Sequence, residues 1–167
     1  DRVSTPLSRR SVIERSRNDR NKILLLEHVQ DPGNVGTLIR TAAAFSVSGI
    51  IMSDRCADPF SPKVVQSTAG SILSLWIRKT NNYLGMIREL KDKGYKLIAA
   101  DLRGDDIQSQ PKKFAAPTVL ALGNEGAGLS AGVIDMSDYK VRIPISDSGA
   151  ESLNVAVAGG ILMFMWG

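Results

Sequence analysis

Short apolar runs alternate with helix-period segments along almost the whole chain. ILLLEHV (23–29) opens the series and predicts a mostly buried strand. VGTLIRTAAAFS (35–46) predicts a helix with Leu38, Ile39, Ala42, Ala43 and Phe45 available for burial. GIIMS (49–53) predicts a second strand, and DPFSPKVVQSTAGS (58–71) two proline turns with one short helix over 62–69. NNYLGMIRELKDK (81–93) has the amphipathic spacing of a helix ended by Gly94, and YKLIAAD (95–101) follows as a strand. RGDDIQSQPKKFAAP (103–117) reads as a polar loop. TVLALG (118–123) is a strand running into a glycine-rich turn, and LSAGVIDMS (129–137) is a short helix. YKVRIPI (139–145) is a strand, and SLNVAVAGGILMFMW (152–166) a nearly all-apolar terminal helix. This alternation predicts an α/β fold with a mainly parallel sheet flanked by helices, in one domain of 167 residues.

Charge refines the picture at one end. Residues 1–22 hold seven of the chain's 21 basic residues but three of its 17 acidic ones, so fourteen of each remain in a neutral body. A basic N-terminal arm (1–22) ahead of the domain (23–167) suggests contact with a polyanion such as RNA; the alternative is a solvated leader. Hydrophobic and charged contents of 43% and 23% are those of a soluble globular protein. The single cysteine, Cys56, excludes an internal disulfide, and no Cys/His cluster has metal-ligand spacing. These features fit an intracellular compartment, cytoplasmic or organellar. No apolar run reaches the ~20 residues that span a bilayer, so no membrane partner is expected, and no signal peptide is visible. The chain begins at Asp1 and ends at Gly167 after an apolar segment, as expected of an excised fragment.

In parallel α/β sheets, ligands bind beyond the carboxyl ends of the strands. Three polar, glycine-containing segments fall there: DPGNVG (31–36), GNEGAGLS (123–130) and IPISDSGAESLN (143–154). The second has G-x-x-G-x-G spacing, not the dinucleotide G-x-G-x-x-G, and lacks the G-K-[ST] ending of a triphosphate loop. Taken alone, its glycines need be no more than turns with positive φ.

In order, DPGNVGTLIRTAAAFSVSGII, VLALGNEGAGLS and VRIPISDSGAESLNVAVAGGILM resemble the three signature motifs of the SpoU (TrmH-type) RNA 2′-O-ribose methyltransferases, within the SPOUT superfamily. The resemblance covers roughly residues 22–166. One departure is visible: the SDSGA loop before Ser152 is one residue longer than the family pattern. The resemblance implies a C-terminal segment tied into a deep trefoil knot, against the rule that chains seldom thread loops. It also implies S-adenosylmethionine as cofactor, and a homodimer packed through terminal helices with the active site near the subunit interface. The apolar character of 152–166 fits that dimer, although a central core helix would read the same way.

Carried onto this sequence, the motifs make Asn34, Arg40, Glu125, Ser152 and Asn154 the catalytic set and Gly123, Ile143 and Leu153 the cofactor grip, with no metal. Asn34 helps hold Arg40, and Glu125 buttresses one of the two. Ser152 is placed as the cap of the last helix, with Asn154 in its first turn. Without the resemblance, Asn34 reads as an N-cap, Arg40 as a solvent-facing residue and Glu125 as a surface acid in a turn. His28, the only histidine, matches no catalytic position and reads as a strand-end residue. The expected activity is methyl transfer to a ribose 2′-hydroxyl of RNA, ribosomal RNA ahead of tRNA. The alternative is a catalytically silent RNA-binding or ribosome-assembly factor on the same fold. A nucleotide-binding oxidoreductase is disfavoured by the failed fingerprint.

Overall fold

A computed structural model describes residues 22–109, 117–149 and 151–166. Six strands form one parallel sheet: β1 (Lys22–Leu26), β2 (Gly49–Ser53), β3 (Trp76–Thr80), β4 (Lys96–Asp106), β5 (Thr118–Leu122) and β6 (Tyr139–Arg142). Their order is β3-β2-β1-β5-β4-β6. Among the described residues five α-helices flank it: α1 (Pro32–Ala44), α2 (Pro62–Ser67), α3 (Tyr83–Asp92), α4 (Ala131–Met136) and α5 (Val155–Met165). β1, β2 and β5 are apolar except at the end residues Lys22, Ser53 and Thr118, because helices cover both faces. Successive side chains in each strand feed opposite layers. Leu24, Leu26, Ile50, Met52 and Leu120 meet α1 and α5, while Ile23, Leu25, Ile51, Val119 and Ala121 meet α3 and α4. Gly159 permits the closest approach of α5, since a Cβ there would stand 2.5 Å from Leu38 and 2.7 Å from Leu122.

Several expectations need correction. β3 was not foreseen: WIRKT carries Arg78 and Lys79, which an edge strand tolerates because it pairs only with β2. β4 continues through the stretch read as the start of a polar loop. A register shift between Ala100 and Asp105 lets Asp105 and Asp106 pair with Val141 and Arg142 of β6. β1 ends at Leu26, before Glu27-His28-Val29. Helix α1 starts earlier than expected, at Pro32, and its cap is Asp31, whose carboxylate accepts the backbone N–H of Asn34 at 2.8 Å. Proline at the first helical position loses no hydrogen bond, so Asp-Pro sets the helix start and Asn34 is freed from capping. The last helix begins at Val155, not 152, and Asn154 rather than Ser152 caps it, accepting from Ala156 and Val157 at 2.9 and 3.3 Å. One side of this helix is exposed rather than enclosed, at Val157, Ile161 and Phe164. Of the basic arm, only Lys22 is described, as the first residue of β1; residues 1–21 lie outside the described residues, as do 110–116 of the expected loop.

Candidate active site

The turn after β5 is a tight hairpin. Asn124 and Gly128 exchange backbone hydrogen bonds at 3.1 and 3.0 Å. The Asn124 side-chain oxygen accepts from Gly126 and Ala127, both at 2.9 Å, and its amide donates to the His28 carbonyl at 2.8 Å. Gly123 is required by packing: a Cβ there would lie 2.4 Å from the carbonyl carbon of Gly128 and 2.5 Å from the nitrogen of Leu129.

This hairpin forms one wall of a cleft of about 200 Å³ at the carboxyl ends of β5 and β6, beside the middle of β4. Leu102 and Leu122 supply apolar surface from the sheet, Ile143 and Ile145 from the chain after β6, Leu153 from the residue before the α5 cap and Leu162 from the body of α5. Glu125, Ser152, Asp101 and Arg142 also line it. Bidentate hydrogen bonding from Arg103, at 3.1 and 2.9 Å, holds the Asp101 carboxyl below the usual carboxylate range. Five of the expected site residues (Gly123, Glu125, Ile143, Ser152 and Leu153) therefore share one cleft.

Two more are tied to it through Glu125. Asn154 spends its side-chain oxygen on the α5 cap, so its amide must donate outward, and it meets the Asn34 oxygen at 3.0 Å. That contact turns the Asn34 amide toward Glu125 Oε1 at 3.1 Å. One residue from each of the three loops is thereby joined in a polarity-matched relay. Arg40 joins neither group. It is exposed on α1, six residues beyond Asn34 and hence about 240° further round the helix. His28 pairs its ring Nδ1 with the Ser53 hydroxyl at 2.7 Å and keeps a structural place after β1. Asn124 and Asp101 are cleft residues that the sequence did not flag; Asn124 lies within the 123–130 segment already singled out, and Asp101 ends the stretch YKLIAAD.

Relatives carry the same architecture. Residues 21–164 match the SpoU rRNA Methylase family. The uncharacterized tRNA/rRNA methyltransferase slr1673 of Synechocystis sp. is 40% identical over 141 residues, 84% of this chain and 51% of that protein. The 23S rRNA (guanosine(2553)-2′-O)-methyltransferase RlmP of Bacillus subtilis is 38% identical over 144 residues, 86% of this chain and 56% of RlmP. The crystal structure of an AdoMet-bound rRNA methyltransferase from Sinorhizobium meliloti superposes with a TM-score of 0.82 at 36% identity, covering 93% of this chain and 59% of that one. The chain thus spans about half the length of the curated relatives it matches. Parallel sheet, loop order and the match over nearly the whole described domain agree, and the chain belongs to the SpoU rRNA methylase family.

Proposed function

We propose that this chain transfers a methyl group from S-adenosylmethionine to a ribose 2′-hydroxyl of RNA, ribosomal RNA ahead of tRNA. The observation that carries this reading is the Asn154–Asn34–Glu125 relay at the edge of an apolar cleft. The cleft suits the cofactor's chemistry. Its leucine and isoleucine walls match the faces of an adenine ring, and Glu125 and Asp101 match a cationic sulfonium. Gly123, Ile143 and Leu153 would hold the adenosine end. Bound there, the cofactor supplies an electrophilic methyl group.

The chain's own residues supply orientation and charge. Asn34, fixed from both sides, holds the Glu125 carboxylate in place. Ser152 lines the cleft beside them and offers a hydroxyl to the substrate. Arg40 offers a planar guanidinium fork. It serves best by gripping a backbone phosphate and stabilising the developing alkoxide, not by taking the proton. Its exposed place on α1 suits a site completed at a subunit interface. A homodimer is supported by Val157, Ile161 and Phe164, which leave an apolar stripe on the outer side of α5. The deep trefoil knot of the C-terminal segment belongs to the same reading. Among the described residues no helix is long and apolar enough to cross a membrane; an RNA substrate and a free, buried Cys56 support an intracellular setting, cytoplasmic or organellar.

Calorimetry tests the cofactor assignment: S-adenosylhomocysteine should bind and NAD should not, and the reverse preference would reject it. Gly123→Ala should weaken S-adenosylhomocysteine binding by ~10-fold or more, because the new methyl group pushes the hairpin off its wall. Removing residues 1–21 should weaken RNA binding and flatten its salt dependence, as counterion release requires when phosphate contacts are lost. A truncated protein with unchanged affinity and salt slope would show the arm to be a leader only.

A further inference from the structure

One carboxylate interrupts the apolar run that opens the fold. Glu27, immediately after β1, is 0% exposed. A buried carboxylate is tolerated only with donors around it. Glu27 has three, all neutral. The Tyr83 hydroxyl donates to Oε1 at 2.7 Å, the Ser130 hydroxyl to the same oxygen at 2.6 Å, and the Ser130 backbone N–H to Oε2 at 2.7 Å. Tyr83 opens α3 on the far face of the sheet, and Ser130 ends the 123–130 loop and caps α4. Burial, and then the adjacent carboxylate, push the Tyr83 phenol well above its ordinary range, so it remains a donor at working pH.

The other foot of the same loop is held from the next residue. His28, at a left-handed φ of 56°, accepts the Asn124 amide on its carbonyl at 2.8 Å. The Glu27 backbone N–H also reaches the Leu122 carbonyl at 2.9 Å. Residues 27 and 28 therefore clamp both feet of the hairpin whose Glu125 meets Asn34.

We propose that Glu27, with Tyr83 as its donor, is a positioning residue that fixes the 123–130 loop in the shape that lines the cleft and presents Glu125 to Asn34. The inference rests on reading that cleft as the cofactor site. Glu27 is not among the cleft's lining residues and acts through Ser130.

Two variants test it. Glu27→Gln keeps the shape but replaces one acceptor oxygen with a donor, which cannot satisfy both the Ser130 N–H and the two hydroxyls in the present arrangement. Tyr83→Phe removes one donor and keeps the ring. Amide hydrogen exchange would be measured residue by residue on the ligand-free proteins, beside titration with S-adenosylhomocysteine. In Glu27→Gln the Gly126, Ala127 and Gly128 amides should exchange ~10-fold faster or more, with Leu24, Ile50 and Ile77 unchanged, and affinity should fall by a similar factor. Tyr83→Phe should show the same pattern more weakly. Unchanged hairpin exchange in both variants, or equal acceleration through the sheet, would overturn the proposal. If the hairpin responds as described while the unaltered protein takes no S-adenosylhomocysteine, the clamp stands and the cofactor reading fails.

Discussion

Replacing Arg40 with alanine is expected to lower methyl transfer by roughly 10²-fold or more, the usual scale for losing one electrostatic transition-state contact. Binding of S-adenosylhomocysteine should be nearly unchanged. The separation follows from geometry: Arg40 lies outside the cleft and outside the amide relay, exposed on α1. On the proposed reading, a residue so placed acts on the RNA and not on the cofactor. Arg40→Lys should recover little, because a compact ammonium does not reproduce a bidentate guanidinium fork on phosphate. Single-turnover methylation with calorimetry on both variants checks this. Near-normal turnover in Arg40→Ala would make the arginine an ordinary surface residue. Joint loss of turnover and cofactor binding would assign it a structural role instead.

Phe164→Asp is expected to weaken dimerisation by roughly 10³-fold, since a symmetric interface would have to bury the new charge in both copies. Phe164 is 71% exposed in the single chain and touches Phe45 edge-on at 6.0 Å between ring centroids. The substitution should therefore leave the monomer folded. Leu162→Asp, two residues away on the opposite side of α5, should behave differently. Leu162 is 1% exposed, and a charge there should unfold the chain instead of releasing monomers. Sedimentation equilibrium and thermal melting on the two variants separate the cases. A stable monomer of the unaltered protein at micromolar concentration would reject the dimer.

The sequence was most legible where burial is two-sided. ILLL, GIIMS and TVLAL announced β1, β2 and β5 because both faces of those strands are covered and polar residues are confined to their ends. The three loops were legible for a related reason, since each follows an apolar run in a parallel sheet. One-sided pairing was not. WIRKT pairs only with β2, and RGDD extends β4 past the end of its pairing with β5, alongside β6 alone; local pattern does not register such pairing. Caps were half-legible. Ser152 and Asn154 are both good cappers, and the choice between them depends on where the backbone turns helical. Asp31-Pro32, by contrast, carried a readable start signal that the reading of Asn34 as a cap passed over. Glu27 was visible as one acid within an apolar run, but Tyr83 and Ser130, 56 and 103 residues away, reach it only in the folded chain.

RNA incubated with the protein and methyl-labelled S-adenosylmethionine, then hydrolysed in alkali, distinguishes methyl transfer to a ribose 2′-oxygen from transfer to a base. A 2′-O-methyl group removes the nucleophile that alkali needs, so the adjacent linkage survives. Label should be recovered in alkali-resistant dinucleotides, at a defined position, and should be lost with Arg40→Ala. Label recovered in mononucleotides would place the methyl group on a base and rule out 2′-O transfer, as would RNA left unlabelled by a protein that binds the cofactor.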